Sequence, residues 1–229
     1  QSTCTGCECT WGTNYYGLQS KRGSNLSIYN SSIGKAGWAS SLNKRGFEVN
    51  TSSEIYYTNF TDLWEGFYLY LGGNRINNTR VMLRSGASLP YTYYDDVMSK
   101  ENMIFNNNFT QGGIVYINSS NSTFVNNYII ATSLSNTYII VGRATFNNTL
   151  KDNQIRGPNV GLNSLSGTNH TIYNNTFLGT TGLKLDAFNY SVLKNNIIND
   201  SHLLAAQQGD LVKKLNRPLK ISITINQEK

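Results

Sequence analysis

Carboxylates, imidazoles and thiols are the side chains of this sequence that could do chemistry, and they are few. The adjacent acidic pair is Asp95-Asp96, and the histidines are His170 and His202. A glycosidase needs two carboxyls opposed across the scissile bond at a fixed separation, which two neighbours on one segment do not supply. Proton abstraction beside a bound cation would draw on Asp152, Asp186, Arg143, Arg156 and Lys184, and these are scattered along the chain. His170 lies inside Asn169-His170-Thr171, and no Ser-His-Asp set, Cys-His pair or Gly-rich phosphate cradle accompanies it. The thiols Cys4, Cys7 and Cys9 fall short of the four ligands of a structural zinc site. They are expected to form an intrachain disulfide, with one thiol left free or bridging to another chain. No catalytic residue, metal or cofactor is assigned.

Asparagine is the more informative reactive side chain. Asn-x-Ser/Thr triplets start at Asn25, Asn30, Asn50, Asn59, Asn77, Asn108, Asn118, Asn121, Asn147, Asn169, Asn174, Asn189 and Asn199. That is 13 of 32 asparagines, where 44 Ser+Thr in 229 residues predict 32 × 44/229, about six, so the excess calls for a cause. Turn chemistry accounts for part of it. Register argues for more: Asn25, Asn121, Asn147, Asn169 and Asn189 each stand three residues before the first apolar residue of a repeat. Stacked repeats would set these five in a column, and N-glycans there would coat one edge. Dense acceptor sites, together with the start at Gln1 and no leader, give an expectation of a secreted or cell-surface protein.

The elements that hold these columns are read from the repeat itself. The pattern Φ-x-Asn-Asn-x-Φ, or a variant, starts at Ile104, Phe124, Leu150, Ile172 and Val192, with weaker copies at Ile28, Ile55 and Val81. A unit this short cannot bury its own apolar face, so stacking on neighbours must supply the core. The fold expected is all-β: a single parallel β-helix solenoid of about eight rungs. Asn107, Asn127, Asn153, Asn175 and Asn195 are expected to form an amide ladder along the axis. Further strands are expected at residues 113–117, 137–141 and 182–185. Residues 86–101 read as a surface loop and 201–216 as a short helix. The organisation expected is a Cys- and aromatic-rich cap or subunit contact over 1–20, the coil over 21–200, and a C-terminal cap over 201–229. That cap ends in an alternating strand with Ile221, Ile223 and Ile225, either folded back or donated to a neighbour.

On these repeats the chain resembles the right-handed parallel β-helix of pectate-lyase-like proteins over about residues 24–200. The resemblance implies the architecture and its hand, since such repeats occur among members with unrelated activities; the chirality of parallel crossovers points the same way. Of the family's enzymes, the polygalacturonase-like members carry clustered aspartates with a Gly-His-Gly element, absent here. The Tyr-, Asn- and Thr-rich style also resembles secreted surface proteins of thermophilic archaea.

The net charge of +6 is spread out, apart from Lys213, Lys214, Arg217 and Lys220, so no nucleic-acid footprint is expected. No run of 18 apolar residues is present, and no membrane span is expected. The function expected is a non-enzymatic subunit of an extracellular, N-glycosylated filament or surface layer, a homo-oligomer assembled head-to-tail through its chain ends. The alternatives are a carbohydrate-binding module, with Tyr56, Tyr57, Tyr68, Tyr70, Tyr91, Tyr93 and Tyr94 as a platform, and a polysaccharide lyase or glycosidase.

Overall fold

Short strands of β-branched and aromatic residues alternate with Asn and Gly corners, and each coil lays its strands on those of the coil before. A computed structural model describes residues 3–12, 15–37, 46–84, 91–96, 98–111, 114–130, 137–141, 145–157, 160–164, 167–178, 183–185, 188–189, 191–199 and 220–225. Three parallel faces result. On the first, Ile28, Ile55, Ile76, Ile104, Phe124, Leu150, Ile172 and Leu193 pair in turn as Cα partners. On the second, the file is Ile33, Phe60, Val81, Phe109, Ile129, Ile155, Phe177 and Ile198. The third runs through Phe47, Phe67, Tyr93, Val115, Ile139, Leu162 and Leu183. A short parallel ladder of Thr145–Phe146, Gly167–Thr168 and Phe188–Asn189 adds a fourth side.

Because strand side chains alternate, one residue in two points inward, and those of the files whose side chains are described make a single core from Leu26 to Leu193. Phe47, Phe60 and Phe67 meet edge to face at 5.0–5.5 Å between centroids. Each such fully buried ring stabilises the fold by roughly 1.5–3 kcal/mol relative to exposure. The chain is thus an all-β parallel solenoid.

Several expectations are corrected. The regular coil is about five turns long rather than eight equivalent rungs. Those turns carry Asn107, Asn127, Asn153, Asn175 and Asn196 at the corner; upstream, Ser31, Thr58 and Thr79 hold the same place and the repeat is less uniform. Two repeat frames shift. Ile76, not Val81, continues the first file, so the copy is Ile76-Asn77-Asn78-Thr79-Arg80-Val81. Leu193, not Val192, does so at the other end, where Val192 is 43% exposed. Residues 91–95 are no surface loop: the strand Tyr91–Asp95 lies between Phe67–Leu69 and Ile114–Ile117, with Tyr93 and Asp95 buried.

At the amino end the strand Thr3–Gly12 runs antiparallel along Tyr15–Tyr29. The disulfide expected there is not found among the described residues. Cys4, Cys7 and Cys9 all lie on this one strand, opposite Leu26, Ser20 and Leu18, so no cysteine faces another across the pair. In an extended strand Cys4 and Cys7 are about 10 Å apart, beyond the reach of a disulfide. At the carboxyl end the strand Lys220–Ile225 pairs in parallel with Val192–Asn199 of the same chain, setting Ile221 beside Leu193 and Ile225 beside Ile198. The expected helix over 201–216 lies outside the described residues. No helix among the described residues is long and apolar enough to cross a membrane.

Candidate functional site: the corner columns

The turn from first to second face needs one residue in the left-handed region, and the sequence supplies it. Asn30, Tyr57, Asn78, Asn106, Asn126, Asp152, Asn174 and Asn195 stand there with φ between +46° and +58°. Asn and Asp tolerate this backbone better than other side-chain-bearing residues. The next residue points inward. Asn107, Asn127, Asn153, Asn175 and Asn196 are buried and linked: from Asn127 on, each Oδ1 accepts from the backbone N–H and the Nδ2 of the amide one turn earlier, while Asn107 Oδ1 accepts from the Thr79 N–H. Each Nδ2 also donates to a carbonyl of the preceding coil, as Asn127 does to Ile104 at 2.9 Å. All four hydrogen-bonding positions of an interior amide are used, which a buried amide requires. The ladder therefore ends on Asn196. Asn195, expected in it, is the exposed left-handed residue.

A second buried file, not foreseen, lies at the corner entering the first face: Ser53, Asn74, Asn102, Ser122, Asn148, His170 and Ser191. Its signal was present, since each stands two residues before an inward residue of the first file. Asn74 bonds Asn102 Oδ1 at 2.9 Å, Ser122 N–H donates to Asn148 Oδ1 at 2.9 Å, and Asn148 N–H donates to His170 Nδ1 at 3.2 Å. The last contact fixes the proton of His170 on Nε2, 3.4 Å from Thr145 Oγ1. Burial lowers the His170 pKa to about 4, so the ring is neutral near pH 7.

Asp95 joins this file from the third face, occupying the inward position between Leu69 and Ile117. Its carboxyl accepts from Asn118 N–H, Ser119 N–H and Ser119 Oγ at 2.5, 2.8 and 2.6 Å, and from Tyr93 OH at 2.9 Å. Burial raises its pKa to about 7 despite these donors, and burial likewise drives the Tyr93 pKa well up. Asp95 and Asp96 are thus divided by the sheet, one sealed and one half-exposed. Asp152 is a corner residue beside Lys151, 3.4 Å away, and Arg156 stands exposed on the second face. Arg143, Asp186 and the side chain of Lys184 lie outside the described residues.

The tyrosines do not share one surface. Tyr93 is interior; Tyr68, Tyr94 and Tyr116 stack ring on ring at 5.1 and 5.3 Å, a geometry that turns their faces toward each other. Tyr56 tilts against Tyr29 on a different face, and Tyr57 is 62% exposed at a corner.

The acceptor asparagines fall on the outside in ordered positions. Asn25, Asn121, Asn147 and Asn169 are exposed and in register just before the first face, with Ser27, Thr123, Thr149 and Thr171 also facing outward. Asn189 leaves this column: it pairs with Thr168, one residue out of step with Asn169. Asn30, Asn108 and Asn174 are exposed elsewhere, while Asn50, Asn59, Asn77 and Asn118 are half-buried. The hydroxyls belonging to Asn77 and Asn118, on Thr79 and Ser120, are buried. The side chains of Asn189 and Asn199 lie outside the described residues.

The class defined by fold and corners is a parallel β-solenoid with internal polar ladders. Comparison with known proteins adds no closer kinship: no family model, no curated protein and no solved structure matches the chain.

Proposed function

We propose that this coil, right-handed as parallel crossovers favour, is a non-enzymatic structural subunit of an extracellular, N-glycosylated filament or surface layer. The observation that carries the reading is that the strands Thr3–Gly12 and Lys220–Ile225 lie at opposite ends of the described stack. Lys220–Ile225 forms the last parallel strand, and Thr3–Gly12 borders the first coil. A stack whose ends are strands offers backbone donors and acceptors to a second copy, and head-to-tail contact of this kind does not close. The joint is edge stacking, with Lys220–Ile225 paired to its own chain, rather than exchange of that strand.

The outward asparagines support a sugar coat, since in the triplets at Asn25, Asn121, Asn147 and Asn169 hydroxyl and amide face outward while Leu26, Ser122, Asn148 and His170 between them pack inward. Electron microscopy of the native material tests the assembly: filaments or a lattice are expected, and dispersed monomers would overturn it. Intact mass of the same material above that of the polypeptide tests the coat.

A further inference from the structure

The exposed column before the first face carries acceptor asparagines on three successive coils, Asn121, Asn147 and Asn169. Successive coils lie about 4.8 Å apart, less than the width of a sugar with its hydroxyl shell. Two of the amides already touch. Asn147 Nδ2, the atom to which a glycan would be joined, donates to Asn121 Oδ1 at 3.2 Å. A sugar grown from Asn147 therefore extends over Asn121, and sugars on both would contend for one space.

The three positions differ in what lies beside them. Asn147 follows Phe146, whose ring is 41% exposed on the short strand Thr145–Phe146. The residue in register on the next coil is Thr168, and the residue before Asn121 is the buried Ser120. An exposed aromatic ring is a surface on which the apolar face of a pyranose can rest, with its hydroxyls left in water. Phe146 and Asn147 both point outward because the left-handed backbone of Asn147, φ +56°, interrupts the strand's alternation.

Resting on the glycosylated exterior proposed above, we infer that Asn147 is the column's anchor. It carries a glycan whose first sugar covers Phe146, and Asn121 and Asn169 on the same molecule stay bare. The bond formed is the N-glycosidic link to Nδ2, with an activated glycosyl donor losing its leaving group and Nδ2 losing one proton.

The test is site-resolved glycopeptide mass spectrometry on the full chain from its native source, using peptides long enough to span residues 121–147 and 147–169. Single occupancy at Asn147 is expected. In Asn147→Gln, occupancy at Asn121 and Asn169 should rise from near zero to a major fraction. In Phe146→Ala, occupancy at Asn147 should fall at least twofold. Two glycans on one spanning peptide, or a bare Asn147 beside an occupied neighbour, would overturn the assignment while leaving the coat standing. A chain without sugar at any acceptor would overturn both.

Discussion

Asn153 Oδ1 accepts two hydrogen bonds from Asn127, one from its backbone N–H at 2.9 Å and one from its Nδ2 at 3.0 Å. The same pair of contacts recurs on each side, so a coil is tied to the next at its tightest corner through the side chain as well as the sheet. Asn127→Ala would strand the Asn107 donors, the Ile104 carbonyl and part of the Asn153 oxygen. At about 1–3 kcal/mol for each unsatisfied group, the loss should exceed 3 kcal/mol in urea unfolding. Asn127→Asp should be worse at neutral pH, because a carboxylate there would face the Ile104 carbonyl and Asn153 Oδ1. It should recover on acidification. Equal stability of this variant at pH 5 and pH 8 would refute the ladder.

The imidazole of His170 fits only because residue 167 lacks a side chain. A Cβ on Gly167 would lie 2.1 Å from His170 Nε2 and 2.9 Å from the Thr145 carbonyl. Gly167→Ala should cost roughly 2 kcal/mol, the usual scale of overpacking. His170→Ser places the side chain of Ser122 and Ser191 at this rung and clears the Nε2 clash. A double-mutant cycle should then show coupling above 0.5 kcal/mol. Additive effects would mean that the imidazole does not impose the glycine.

Two buried titrating groups act on stability in opposite directions. Burial raises Asp95 from 3.8 to about 7, so the folded chain holds its proton more tightly than the unfolded one. Its contribution is full below about pH 4 and is lost as pH rises to about 7. Burial lowers His170 from 6.5 to about 4, so its contribution is full above about pH 6.5 and is lost as pH falls to about 4. Each effect is on the order of 3 kcal/mol. The native chain should therefore show a shallow profile between pH 4.5 and 6.5. Asp95→Asn should become more stable with rising pH in that window, and His170→Asn less stable. Thermal midpoints measured across it decide the matter, and parallel profiles for the two variants would contradict both assignments.

The architecture was legible because a buried ladder constrains sequence at every turn: Ile104, Phe124, Leu150 and Ile172, each followed by its corner pair, are in register as read. The frame slipped where a second apolar residue adjoined the true one. Val192 precedes Leu193, yet only Leu193-Lys194-Asn195-Asn196-Ile197-Ile198 keeps the amides at the third and fourth places, and Asn195 and Asn189 followed the slip. At Ile76 the inward corner residue is Thr79, whose hydroxyl bonds the Asn77 carbonyl at 3.1 Å and takes the amide's place. That copy therefore lacks the paired amides at the third and fourth places. Asp95 was misplaced for another reason. A carboxylate in a Tyr- and Asp-rich stretch has the composition of a loop, and the donors that make it tolerable inside, Asn118 and Ser119, come from the next coil. Long-range satisfaction of a buried charge leaves little local trace.

The strand Ser32–Gly34 gives the proposed assembly its sharpest test. Asn59 N–H donates to the Ser31 carbonyl and Lys35 N–H to the Thr61 carbonyl, so residues 31, 33 and 35 turn toward the next coil. In a parallel strand the alternate residues face the opposite way, which points Ser32 N–H at the outer edge. Among the described residues Thr3–Gly12 covers that edge only as far as Ser27. Ile33, half-buried there, ends the second-face file that Ile225 ends at the far end of the stack. Ser32→Pro removes the outward donor and leaves the described pairing with Asn59–Leu63 in place. Because it also removes the hydroxyl of the Asn30 triplet, Asn30→Gln, which loses that acceptor and keeps the donor, is the control and should still associate. The Ser32→Pro variant should keep its β-sheet circular dichroism and lose self-association in sedimentation velocity. Filaments of undiminished length from Ser32→Pro would rule out stacking at this edge, and an unfolded Asn59–Leu63 strand by hydrogen exchange would show that the donor serves the fold.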